Sequence, residues 1–190
     1  MDKDDLISLL EREDVPEEHA EIMAKSPDVQ ESPYLAAMAY NKLTLATSGI
    51  CPEVAAQLVM SESVWEAPYV AAEAYTMMTS PYNQIPQKQA IELAKKPLVW
   101  ELPTAISSAY HELSVLKGPE DQQIPENVLT ELLECYEVIS NPIGFAILVK
   151  ERVETDDPIT FSWEFVLELA KNPDYWHQPG LLLEQSRSIG

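Results

Sequence analysis

The sequence predicts an all-α chain: a right-handed α–α superhelix, or solenoid, of about five helical-hairpin repeats of 35–39 residues behind an N-terminal capping helix. Three observations predict it. Pro33, Pro68, Pro103, Pro142 and Pro179 recur at spacings of 35, 35, 39 and 37 residues. The surrounding text recurs with them, as AKSPDVQESPYLAAMAY ending at Tyr40, VMSESVWEAPYVAAEAY ending at Tyr75, AKKPLVWELPTAISSAY ending at Tyr110 and LAKNPDYWHQPGLLLEQ ending at Gln185, with a more diverged copy over 133–149. Within each copy apolar residues fall at helical spacing, so each unit has one stripe to bury against its neighbour, and a period of roughly 20 to 50 residues marks such an architecture.

The capping helix is predicted over about Asp5 to Glu13, with Leu6, Leu9 and Leu10 inward, because a terminal repeat needs its apolar face covered. The repeats then run over about 14–48, 49–83, 84–122, 123–158 and 159–190, and one continuous core makes 1–190 a single domain. Each opens on an apolar residue followed by proline: Val15 and Pro16, Ile50 to Pro52, Ile85 and Pro86, Ile124 and Pro125. Proline suits a helix start, where its missing N–H has no partner to lose, and Asp14 with Glu17 has the spacing of a capping box. The first helix buries Ala20, Met23 and Ala24 and their counterparts Val54, Leu58 and Val59, or Ala90, Leu93 and Ala94. It is predicted to stop near Ser26, Glu62, Pro97, Tyr136 and Pro173.

A short extended link comes next, from Val29, Val64, Val99, Val138 or Tyr175 to the repeated proline, which opens the second helix. That helix carries Tyr40, Tyr75, Tyr110 and Val149 behind small residues such as Ala36, Ala37 and Ala39, which let neighbours approach closely while the tyrosine hydroxyls stay wet. Polar or proline-rich stretches at 79–84, 117–123 and 155–158 read as surface loops, and 185–190 as a frayed tail.

Paired helices at this period, in stretches such as IMAKSPDVQESPYLAAMAYNKL, resemble HEAT-like α-solenoid repeats in layout: first helix, Asp-containing turn, second helix. The chain departs from that pattern by a proline between turn and second helix, and by lacking the family's Asp and Arg ladder. What the resemblance implies is architecture and a binding-scaffold role, not a particular partner.

Thirty-two acids against twelve bases give a formal net charge of −20. The first 31 residues hold eleven acids and three bases, 120–137 holds six acids and no base, and Lys88, Lys95 and Lys96 form a small positive cluster. Direct nucleic-acid binding is excluded as an expectation, because phosphate recognition draws on Lys and Arg displacing condensed counterions. Binding to anionic membrane is disfavoured for the same reason, and no window is long and apolar enough to span a bilayer. The acidic N-terminal stretch does not read as a secretion signal, so the expected location is cytoplasmic. The field favours a protein partner with a basic patch, while solvation alone would also account for exposed carboxylates, and an acidic rod of about 50 Å, at roughly 10 Å per helix layer, could also occupy a protein's DNA groove.

One position after the turn's apolar residue the copies carry Gln30, Trp65, Trp100, Ile139 and Trp176, followed by Glu31, Glu66, Glu101, Ser140 and His177. Equivalent positions of stacked repeats line up. The column therefore reads either as an aromatic contact ridge flanked by acid or as side chains folded back to close the core between repeats.

The sequence carries no recognisable catalytic motif. His19, His111 and His177 are scattered, no HExxH, CxxC, GxSxG or glycine-rich phosphate loop occurs, and Cys51 and Cys135 read as buried, reduced thiols. The Glu17 to Glu21 stretch around His19, and the row Glu131, Glu134 and Glu137, read as solvated charge rather than ligand sets. No enzyme, cofactor, metal or small-molecule substrate is expected. The leading expectation is a non-enzymatic scaffold or adaptor for a basic protein. The alternatives are a nucleic-acid-mimicking inhibitor of a DNA- or RNA-binding enzyme, of the kind viruses encode, and a structural or assembly subunit of a larger complex.

Overall fold

Proline placement sets the helix boundaries along the chain. The structure, a computed structural model, describes residues 2–118, 121–155 and 162–172. Its contacts gather into two compact units, Met1–Thr104 and Ala105–Gly190. Among the described residues the secondary structure is helical without strands, apart from an isolated antiparallel bridge between Lys117 and Gln123.

The first unit begins with α1 (Lys3–Arg12), capped by the Asp2 carboxylate, which accepts from the Asp5 N–H at 2.9 Å. Then follow α2 (Glu17–Met23), α3 (Pro27–Glu31), α4 (Pro33–Leu43), α5 (Pro52–Leu58), α6 (Glu62–Glu66), α7 (Pro68–Thr79), α8 (Gln87–Ala94) and α9 (Pro97–Glu101). Helix α10 (Pro103–Leu113) follows, and the second unit continues with α11 (Glu126–Leu132), α12 (Tyr136–Ser140), α13 (Pro142–Thr155) and α14 (Trp163–Lys171). A helix of seven or eight residues, one of five and one of eleven to fourteen thus recur in that order.

The link predicted as extended is the five-residue helix. Only one residue ahead of it is extended, at Ser26, Ser61, Lys96 and Cys135. Pro27, next to the predicted stop at Ser26, and Pro97, itself a predicted stop, instead open the short helix at its first position, and the first helices stop three or four residues earlier than predicted, at Met23, Leu58, Ala94 and Leu132. The repeated prolines Pro33, Pro68, Pro103 and Pro142 each open the third helix of a set. The residue before each is pushed out of the helical region by the proline ring: Ser32 (φ −138, ψ 62), Ala67 (−138, 59), Leu102 (−135, 42) and Asn141 (−144, 62) share one bend.

The entry to the first three sets is also shared. Asp14, Gly49 and Gln84, 35 residues apart, all take the left-handed conformation, at φ 63, 69 and 51. This corrects the predicted capping box. Asp14 is spent on the turn, and the Pro16 carbonyl accepts from the His19 and Ala20 N–H groups at 2.9 Å to start α2.

Within the first unit α2 packs on α5 and α5 on α8, while α4 packs on α7, giving two layers joined by the short helices. Helix α1 covers α2 and α4 with Leu6 and Leu10 buried and Leu9 half-buried. Ala36, Ala37 and Ala39 of α4 and Ala71, Ala72 and Ala74 of α7 are buried, which is what close helix approach uses them for. In the second unit α11 packs on α14 and α12 on α13, around Phe145, Leu132 and Val149. No helix among the described residues is long and apolar enough to cross a membrane.

Candidate protein-interaction surface

The turn between first and third helix is built by hydrogen bonds that recur from copy to copy. The last carbonyls of a helix lack intrahelical partners. In the first unit three of them are taken by one column of side chains: Gln30 Nε2 donates to the Ala24 carbonyl at 3.1 Å, Trp65 Nε1 to Val59 at 2.7 Å and Trp100 Nε1 to Ala94 at 2.7 Å. Each bond reaches back six residues to the end of α2, α5 or α8. Trp65 and Trp100 are half-buried and Gln30 exposed, so the indoles keep an accessible edge while their N–H is already engaged. The counterpart Ile139, with no donor to offer, is buried. Trp176 and His177 lie outside the described residues.

Neighbouring turns are stitched to one another. Ser26 Oγ donates to the Met60 carbonyl at 2.6 Å, the Glu62 N–H donates to Asp28 at 3.2 Å, and Ser63 Oγ donates to the Lys95 carbonyl at 2.5 Å. Met60 and Lys95 are equivalent positions, 35 residues apart. Side chains of one turn thus satisfy the backbone of the next and hold the column in line. On the rim of these turns Glu31, Glu66 and Glu101 are all exposed, at the ends of α3, α6 and α9, and Ser140 is exposed at the end of α12.

The residues set aside as surface charge divide. Glu17, Glu18 and Glu21 are exposed, but His19 is buried, and its Nδ1 lies 2.7 Å from the Tyr40 hydroxyl. This corrects both the reading of His19 as part of a charged patch and that of the Tyr40 hydroxyl as wet. His19 falls on the inner stripe with Val15, Ala20 and Met23, and that spacing outweighs its acidic neighbours in sequence. Burial, then the Glu53 and Glu18 carboxylates, pushes the Tyr40 phenol above its ordinary value. Burial comes first also for Tyr75, followed by the Cys51 charge, and for Tyr110, followed by Glu126.

Cys51 is exposed at the start of α5 and Cys135 half-buried, against the expectation of two buried thiols; Cys51 stands at the entry turn where the other sets place proline, a boundary residue rather than a core one. Burial raises the Cys135 thiol, Lys171 opposes it, and Glu137, Glu134 and Glu131 add to the rise, so it is held protonated. No cluster of His, Cys, Asp or Glu among the described residues could hold a metal ion.

No family model, curated protein or solved structure matches the chain. The chemistry of this surface is therefore read from its own residues.

Proposed function

We propose that the chain is a non-enzymatic α-solenoid scaffold that binds a protein partner carrying a basic patch, with the turn column and its acidic rim as the contact surface. The observation that carries this reading is the row Glu31, Glu66 and Glu101: three exposed carboxylates at one position of three turns, two of them beside an indole fixed to the backbone. The indoles of Trp65 and Trp100, locked in place by their hydrogen bonds, lose little side-chain entropy on binding and still offer an apolar edge to a partner. The bend shared before each proline, and the left-handed entry residue shared by Asp14, Gly49 and Gln84, support reading the copies as repeats of one helical unit.

The test is capture of host proteins on the immobilised chain, compared with a Glu31→Lys, Glu66→Lys, Glu101→Lys triple variant. Basic proteins that are retained by the natural chain, released by salt and lost with the variant support the reading. Retention of the same proteins by the variant overturns it. Competition by duplex DNA would move the assignment to mimicry of nucleic acid in a protein's binding groove.

A further inference from the structure

The first unit exposes an apolar surface that its fold does not require. On α4 the outward positions are Tyr34, Leu35, Met38 and Lys42; on α7 the equivalent positions, 35 residues on, are Tyr69, Val70, Glu73 and Met77. Six of the eight are large and apolar. Tyr34, Leu35 and Met38 are 57%, 53% and 54% exposed, and Tyr69, Val70 and Met77 are 50%, 43% and 38% exposed. Helices α4 and α7 pack against each other, so the two rows flank one seam. The same four positions of α10 are Thr104, Ala105, Ser108 and Glu112, so the fold accepts small or polar residues there. Together the exposed apolar side chains present on the order of 600 Å², at the upper end of what an isolated soluble domain leaves open.

We propose that the paired outer faces of α4 and α7 form a docking surface for a basic amphipathic helix of a partner protein. The proposal rests on the reading that the partner is basic and names the part of it that docks and where. Charge chooses the occupant. Between residues 27 and 77 the chain carries six acids and one base; Lys42 and Glu73 offset one another within the face, and Glu31 and Glu66, which precede the two helices, leave its surroundings acidic. An apolar segment flanked by Lys or Arg matches this pattern, with its apolar residues at i, i+3, i+4 and i+7 laid along the seam. Helix α4, at eleven residues, offers a track about 16 Å long, enough for three turns of a partner. A second molecule of this chain fits poorly: it would bring another net charge of −20 to the same face, and the area lies below the roughly 800 Å² per side of a stable dimer.

The experiment uses the full chain and a labelled fifteen-residue Leu/Lys peptide with leucine on one helical face, against a scrambled peptide of the same composition. Binding is read by fluorescence anisotropy and mapped by amide chemical shifts. The expected result is binding of the amphipathic peptide with shifts on α4 and α7, weakened at least tenfold by scrambling and at least tenfold by Leu35→Ser with Val70→Ser, both exposed positions whose replacement leaves the circular dichroism unchanged. Equal binding of both peptides, unaffected by the serine variant but lost in the Glu31→Lys, Glu66→Lys, Glu101→Lys variant, overturns this proposal and leaves the basic-partner reading standing. Absence of binding by either peptide overturns it as well. Concentration-dependent dimerisation abolished by the serine variant would assign the face to self-association and refute the occupant named here.

Discussion

Replacing Trp65 or Trp100 by phenylalanine keeps a six-membered aromatic ring and removes the five-membered one, and with it the indole N–H that closes the end of α5 or α8. The acceptors are the carbonyls of Val59 and Ala94, both 2.7 Å away, and both residues are fully buried. A neutral hydrogen bond contributes about 1 kcal/mol net, and a buried acceptor left empty costs about 1–3 kcal/mol. Each substitution should therefore destabilise by roughly 1–2 kcal/mol, which at this chain length corresponds to a fall of about 2–8 °C in the unfolding midpoint. Thermal unfolding followed by circular dichroism measures the loss, and hydrogen exchange of the indole N–H measures its cause: both protons should exchange far more slowly than in free indole. Gln30 supplies an internal control, since it serves the Ala24 carbonyl with an amide N–H. Gln30→Met should cost a similar amount, although its length is nearly preserved. Unchanged midpoints in both phenylalanine variants, or indole protons that exchange as fast as in the free compound, would refute the capping role.

Ser26→Ala and Ser63→Ala each remove a stitch between neighbouring turns and should cost about 1 kcal/mol by urea denaturation, with the double variant close to additive. Gly49→Ala meets no atom within 4 Å, so its expected loss of about 1 kcal/mol reports only the left-handed backbone at φ 69; a neutral result in chemical denaturation would contradict that conformation. Tyr40→Phe strips the partner from a buried imidazole and should cost about 1–3 kcal/mol in the same assay. Tyr40, Tyr75 and Tyr110 hold their protons more tightly folded than unfolded, so the stability they give is complete below the unfolded phenol value near 10 and drains away as pH rises through the higher folded values. An ultraviolet titration of the phenols should find late-ionising groups together with alkaline loss of helix.

The long helices were legible because their signals are dense: a proline at the first position, alanines and a tyrosine at fixed offsets, and a stripe that repeats. The five-residue helices α3, α6, α9 and α12 were not. Five residues cover barely more than one turn, too few for a helical period to stand apart from an extended run, and the single buried valine of each fits either. The available clue was proline at 27 and 97, which opens a helix as readily as it closes one. Column membership of Gln30, Trp65, Trp100 and Ile139 was visible in the spacing, whereas what the column bonds to was not, because its acceptors are backbone carbonyls that leave no trace in residue identity. At His19 the acidic neighbours in sequence, Glu17, Glu18 and Glu21, mask the residue's place on the buried helix face. Tyr34, Leu35, Tyr69 and Val70 stand beside the buried alanines, and sequence alone does not distinguish an apolar residue facing inward from one facing water.

Ser26 and Ser63 occupy different offsets within their turns, yet each reaches the equivalent carbonyl of the following turn. What the joint recognises is thus main chain, which every amino acid supplies. Adjacent copies can drift apart in sequence without matched compensating changes, provided one short hydroxyl or carboxyl group survives somewhere along the turn. A tandem array assembled on that rule can keep its pitch long after its segments have ceased to look alike.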